Sequence, residues 1–151
     1  IKAKNDGLFG DKNYKLDIGF RDLKLDSSSM EDIYYAPSDV KQDDLFALAD
    51  NIKPGRTGED LLFQVMLDLG IMLDNKIEET EIGGKKVYSV ADGFLIACFD
   101  KDVNDEVVTA IAKQKPTYAV FRDSSMESDS TATNFEQIFK TYSPDTTRKV
   151  L

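Results

Sequence analysis

Between Arg56 and Gly70 the chain spells out a helix with both of its ends written in, and no other stretch restricts the fold as tightly. Pro54 and Gly55 clear the approach. Thr57 and Asp60 fit the Ser/Thr-x-x-Asp/Glu cap, in which each side chain satisfies a backbone N–H that the first turn leaves without a partner. Gly70 suits the left-handed position that terminates a helix. Leu62, Val65, Met66 and Leu69 recur at i, i+3, i+4 and i+7, and Leu61, Phe63 and Leu67 widen the apolar stripe. A helix this apolar is expected to be covered on more than one side, as a central core helix.

Beyond it the hydrophobic period changes to two. Ile77–Ile82 and Lys85–Val90 flank Gly83-Gly84, a pair that favours a tight hairpin turn, and Asp92-Gly93 is a second turn signal. It leads into Phe94–Phe99, continuously apolar and so expected to be an interior strand covered on both faces. Asn104 can cap a helix whose first turn carries Asp105 and Glu106, favourably placed against the helix dipole. Val107, Val108, Ile111 and Ala112 supply its core face, and Pro116 ends it. Thr117–Arg122 reads as a strand, and strand 94–99, helix 104–115 and strand 117–122 have the lengths of a parallel crossover. Phe135, Ile138, Phe139 and Tyr142 mark a last amphipathic helix, stopped at Ser143-Pro144. The expected fold class is α/β (α+β): a mixed sheet of about four strands, an antiparallel meander plus one parallel crossover, packed by helices.

Upstream the signals are weaker. Residues 1–15 are polar and read as a mobile lead-in. Leu16, Ile18 and Phe20 alternate on one parity and Leu23 and Leu25 on the other, which predicts a bulged strand or two short ones. Residues 30–37 look extended, because Pro37 biases Ala36 away from helix. Leu45, Leu48, Ala49 and Ile52 have helical spacing, and Pro54 stops that short helix.

The length of 151 residues suits one domain, or one domain with part of another attached, and the first residue, Ile1, is expected of a piece of something longer. A net charge of −9 argues against a free nucleic-acid binder, which carries a basic footprint. The charge is uneven: residues 1–25 hold six basic and four acidic side chains, for +2, and the remainder carries −11. One cysteine, Cys98, excludes an internal disulfide, fits a reducing, cytoplasmic setting and reads as a small buried core residue. No apolar run reaches membrane-spanning length, and no signal-peptide pattern appears.

With no histidine, Ser-His-Asp and Cys-His chemistry and most zinc sites are excluded. The phosphate-binding glycine loops are absent. Acid-x-Lys elements occur at Asp22-Leu23-Lys24, Asp39-Val40-Lys41 and Asp74-Asn75-Lys76, but two-metal chemistry needs a converging cluster that the sequence does not announce. Glu78, Glu79 and Glu81 read as the solvated side of a hairpin. Arg122-Asp123-Ser124-Ser125-Met126-Glu127 follows a strand end, where α/β folds bind ligands, so the loop Asp123–Asp129 is the place for a small-molecule or metal site if the chain has one of its own. Asp and Ser also end strands by bonding nearby amides, and Asp26–Glu31 echoes the same string after the earlier alternating segment. No catalytic, cofactor-binding or metal-binding residue is assigned.

Four strings in order carry a family resemblance: Ile18-Gly-Phe-Arg-Asp-Leu-Lys-Leu-Asp-Ser-Ser28, Glu59-Asp-Leu-Leu-Phe-Gln-Val-Met-Leu-Asp-Leu-Gly70, Tyr118-Ala-Val-Phe-Arg-Asp-Ser-Ser125 and Asn134-Phe-Glu-Gln-Ile-Phe139. Over residues 16–151 the chain resembles the C-terminal part of the DNA-methylating (Mod) subunit of type III restriction-modification systems. The resemblance implies a parent enzyme that transfers a methyl group from S-adenosylmethionine to the adenine exocyclic amine of a short DNA target. It implies a Mod dimer and association with a helicase-nuclease (Res) subunit. The family's catalytic Asp-Pro-Pro-Tyr and its Phe-x-Gly-x-Gly cofactor loop do not occur here, so no active-site residue carries over. By this resemblance residues 1–30 are a remnant of the methyltransferase domain, 31–55 a connection with a short helix, and 56–151 the C-terminal accessory domain. The acidic charge points that domain at protein rather than duplex, as a non-catalytic assembly, dimerisation or Res-docking domain.

Overall fold

In the computed structural model, residues 19–31, 51–125 and 129–151 are described, and they build a five-stranded mixed sheet with helices on both faces. The elements run α1 (Gly58–Asp68), β1 (Ile77–Ile82), β2 (Lys85–Val90), β3 (Leu95–Cys98), α2 (Asp105–Lys113), β4 (Tyr118–Phe121), a 3-10 turn (Asp123–Ser125), α3 (Asp129–Tyr142) and β5 (Thr147–Val150). The sheet order is β1-β2-β3-β4-β5. β1, β2 and β3 pair antiparallel, and β3, β4 and β5 pair parallel through the α2 and α3 connections.

The local signals act as expected at α1. Thr57 and Asp60 form the reciprocal capping box. Gly70, at φ +68°, donates to Leu67 O, and Ile71 donates to Met66 O at 2.8 Å, the paired bonds that close a helix through a left-handed residue. Gly83 and Gly84 both take positive φ, which sets the hairpin twist and fixes the register Ile82↔Lys85 through Ile77↔Val90. Asn104 caps α2 by accepting from Val107 N at 3.0 Å.

Alternation divides the sheet residues into two cores. Val87, Ile96, Cys98, Ala119 and Phe121 face α2 and α3, where Phe135 and Phe139 pack on Phe121 at 5.4 and 6.1 Å between ring centroids. Tyr88, Val90, Leu95, Ala97 and Val120 face α1 and its Leu61, Leu62, Val65 and Met66. All four residues of β3 are buried, as expected of a strand covered on both faces.

Three expectations change. The sheet has a fifth strand, β5, past the proline that ends the last helix. The helix α1 covers one sheet face instead of being enclosed, and Leu67 on its outer side is 60% exposed. Residues 19–26, expected to be strand, form no ladder, although Met30 bridges Ile52. The lead-in 1–15, residues 16–18, the acid-x-Lys element at 39–41 and most of the helix expected near 45–52 lie outside the described residues; at the end of that expected helix Ile52 is not helical but takes part in the bridge to Met30.

Candidate functional site

Two surface features hold the chemistry that the described residues bring together. The first is a groove of about 510 Å³ at the carboxyl ends of β3 and β4, facing the amino end of α1. Its floor is Tyr88, packed on Phe99 with centroids 6.1 Å apart. The phenol fits against Gly58, where a Cβ would lie 3.0 Å from the hydroxyl oxygen. Burial pushes the Tyr88 hydroxyl above its ordinary pKa. On the rim Lys86 pairs with Glu79 at 2.9 Å, a bond that holds its ammonium pKa up, while its backbone N–H donates to Asp100 Oδ2 at 2.7 Å. Arg56, Glu59 and Arg122 complete a rim with equal numbers of acids and bases. Such a rim can meet a small polar ligand; within it Glu79 and Lys86 pair with each other, while Arg56 reaches out of the groove to Asp26.

The loop Asp123–Asp129, expected as the place for a ligand or metal, is a structural joint as far as it is described. Asp123–Ser125 is a 3-10 turn. Ser125 is buried; its Oγ donates to Asp100 O at 2.6 Å, and its carbonyl accepts from Val103 N, tying the β4 end to the β3 end. Asp123 N donates to Leu151 O at 2.9 Å, which fastens the chain beyond β5. A second depression of about 510 Å³ borders this joint at the amino end of α2, beside Asp105 and Glu106. Those acids sit at the positive end of the helix dipole, the favourable placement expected of them beside the Asn104 cap. Residues 126–128 lie outside the described set. Among the described residues no group of three or more Asp, Glu, Cys or His side chains is arranged to hold a metal. Cys98 is buried in the core, and burial pushes its thiol pKa up, the reverse of an activated nucleophile.

The second feature is a strap, residues 19–31, laid along α1 and the loop after it. Arg21 donates to Leu73 O at 2.7 Å and Asn75 O at 2.8 Å. Arg56 reaches Asp26 at 2.8 Å and also donates to the carbonyl and hydroxyl of Ser27, and this pairing holds the Asp26 carboxyl below its usual range. Ser29 N donates to Gln64 Oε1, and Ser29 O accepts from Lys53 N. The strap is therefore fixed by polar bonds while its large apolar side chains point outward: Phe20 is 91% exposed and Leu25 fully so. Phe20 and Leu23 border a shallow pocket with Leu73 and Ile77. Sequence reading recognised the apolar alternation of this segment but not its anchors. Arg21 and Arg56 act 52 and 30 positions away along the chain, a distance no local pattern encodes.

Among the described residues no helix is long and apolar enough to cross a membrane. Comparison with known proteins returns no matching family model, no matching curated protein and no matching solved structure.

Proposed function

We propose that this chain is the C-terminal accessory region of a cytoplasmic type III restriction-modification DNA adenine methyltransferase, and that it is a non-catalytic assembly domain serving Mod dimerisation or Res docking. In this reading S-adenosylmethionine and the DNA target are handled by the rest of the parent subunit. The observation that carries it is the strap: Phe20, Leu23 and Leu25 stand out from a surface to which Arg21 and Arg56 bind their backbone. A large apolar side chain fully in water gains from a partner. A rim of polar groups around an apolar centre is the composition of an interface. The net charge of −9 supports a protein partner over duplex DNA.

The test is sedimentation equilibrium on the chain alone and with a Res subunit. The expected result is a dimer or a stoichiometric complex, weakened at least about tenfold by the double substitution Phe20→Ser and Leu25→Ser. A monomer that ignores Res overturns the reading.

A further inference from the structure

Among the described residues the two edge strands of the sheet, β1 and β5, have no further strand beside them, and they differ in charge. The β1 edge presents Glu78, Glu79 and Glu81, the first two also paired with Lys76 and Lys86 of the same chain; the β5 edge presents Arg148, which reaches Glu136 at 3.9 Å, and Lys149, with all four β5 residues exposed. Charged edges normally protect a sheet from pairing with its own kind. Surface pairs of this kind contribute little and exchange readily, and exchanging them across the edges favours β5 against β1 over either edge against its own kind. We propose that the β5 edge of one chain pairs with the β1 edge of a second copy, continuing the sheet from molecule to molecule. This contact is separate from the apolar strap and goes beyond the assembly reading.

The backbone restricts the register to one parity, and the charges choose within it. Ala91 N donates to Lys76 O, so the bonds from β1 to β2 come from residues 76, 78, 80 and 82, and the groups of Ile77, Glu79 and Glu81 point outward. Thr147 N donates to Thr117 O and Leu151 N to Phe121 O, so by alternation Arg148 and Val150 point to the open edge of β5. β1 is antiparallel to β2, which is antiparallel to β3, and β3, β4 and β5 are parallel, so β1 and β5 run the same way. A copy carried forward by translation and sheet twist therefore sets its β1 parallel to β5 without turning the sheet over. A parallel ladder joins a residue to the two flanking its opposite number. Arg148 opposite Glu78 then bonds to Ile77 and Glu79, and Val150 opposite Thr80 bonds to Glu79 and Glu81; these are the outward groups on both strands.

The same register matches the charges face by face. Ile82 packs toward α2 and Ile77 toward α1, so Glu78 lies on the α2 face and Glu79 and Glu81 on the α1 face. Arg148 pairs in register with Ala119, on the α2 face, and Lys149 with Val120, on the α1 face. Arg148 thus meets Glu78, and Lys149 meets Glu79 with Glu81 beside it. Shifting the register by one residue loses both the hydrogen bonds and the charge match. The contact is head-to-tail, so it builds open chains of molecules rather than a closed dimer.

The test is a charge-exchange experiment followed by sedimentation velocity, with circular dichroism as the check that each chain is folded. One variant carries Glu78→Lys and Glu79→Lys, so both its edges are basic. The other carries Arg148→Glu and Lys149→Glu, so both are acidic. The native chain is expected to form concentration-dependent species larger than a dimer that dissociate with added salt. Each folded variant alone should lose self-association at least about tenfold, and an equimolar mixture of the two should regain it. An equimolar mixture that stays as unassociated as its parts overturns the proposal. Self-association that is untouched by either variant also overturns it, while leaving the assembly reading through the strap intact. A native chain that is monomeric at every concentration overturns it as well.

Discussion

Asp60 closes a loop of three bonds with Thr57: its carboxylate accepts from Thr57 N at 2.8 Å and Thr57 Oγ1 at 2.7 Å, and its own N–H donates back to that hydroxyl. The bond from Thr57 N–H is the main reason its pKa is lowered in the folded chain. A folded pKa below the unfolded one gives stability that is fully present above the ordinary aspartate value of about 3.9 and is lost as pH falls through the folded pKa. Asp60→Ala and Thr57→Ala are each expected to cost about 0.5–2 kcal/mol in urea unfolding at neutral pH, and less than additively together. The Asp60→Ala cost should shrink toward zero in acid below the folded pKa; a cost that is unchanged there would show that packing, not the cap, accounts for it. Cys98 makes a second residue-scale case. Its sequence context marked it as a core residue, and its burial raises the thiol pKa. Alkylation of native protein by iodoacetamide is therefore expected to proceed at the rate of global unfolding and to accelerate in parallel with added urea.

At the scale of elements, legibility follows how local the instruction is. The capping box of α1, the paired glycines of the β1–β2 hairpin and the apolar run of β3 each state their structure within a few residues, and all three formed as read. β5 does not: Thr147–Val150 is four residues long, wholly exposed and without an apolar pattern. It is placed by long-range bonds, with Thr146 Oγ1 donating to Pro116 O at 2.6 Å beside Ser143 Oγ, and Thr147 N donating to Thr117 O. Residues 19–26 are the converse. They alternate like a strand, yet the Arg21 side chain takes carbonyls of the loop after α1, and Phe20 and Leu25 are left outside. Alternation says which side chains share a face, and a strand also needs a neighbouring edge. Thr146→Val keeps the shape and removes the hydroxyl, leaving the Pro116 carbonyl and the Ser143 hydroxyl without it. The expected cost is about 1–3 kcal/mol, and amide exchange should rise first at Thr147 and Leu151. Unchanged stability and protection would mean that β5 is held by its ladder alone.

On the scale of the whole molecule, two kinds of attachment coexist. The two cores join α1, the sheet, α2 and α3 through buried apolar contacts, whereas the strap is joined mainly by polar bonds near the surface. The candidate surfaces are made by residues far apart in the chain, such as Arg56 with Asp26, so their residue types were visible in the sequence but their juxtaposition was not. This division gives an expectation about unfolding. Ion pairs and hydrogen bonds with a partner open to water contribute little to global stability, and Asp26, the partner of the mostly buried Arg56, is exposed, so replacing Arg21 and Arg56 together by alanine should release the strap while the core stays folded. Limited trypsin digestion should then cut at Lys24 much faster than in the native chain, with the core from α1 to β5 persisting. The urea midpoint followed by the near-ultraviolet signal of the tyrosines should shift by no more than about 1 kcal/mol equivalent. If the midpoint falls in step with the faster cleavage, strap and core unfold as one cooperative unit. The strap would then be part of the core's stability, not a tethered surface that presents Phe20 and Leu25 to a partner.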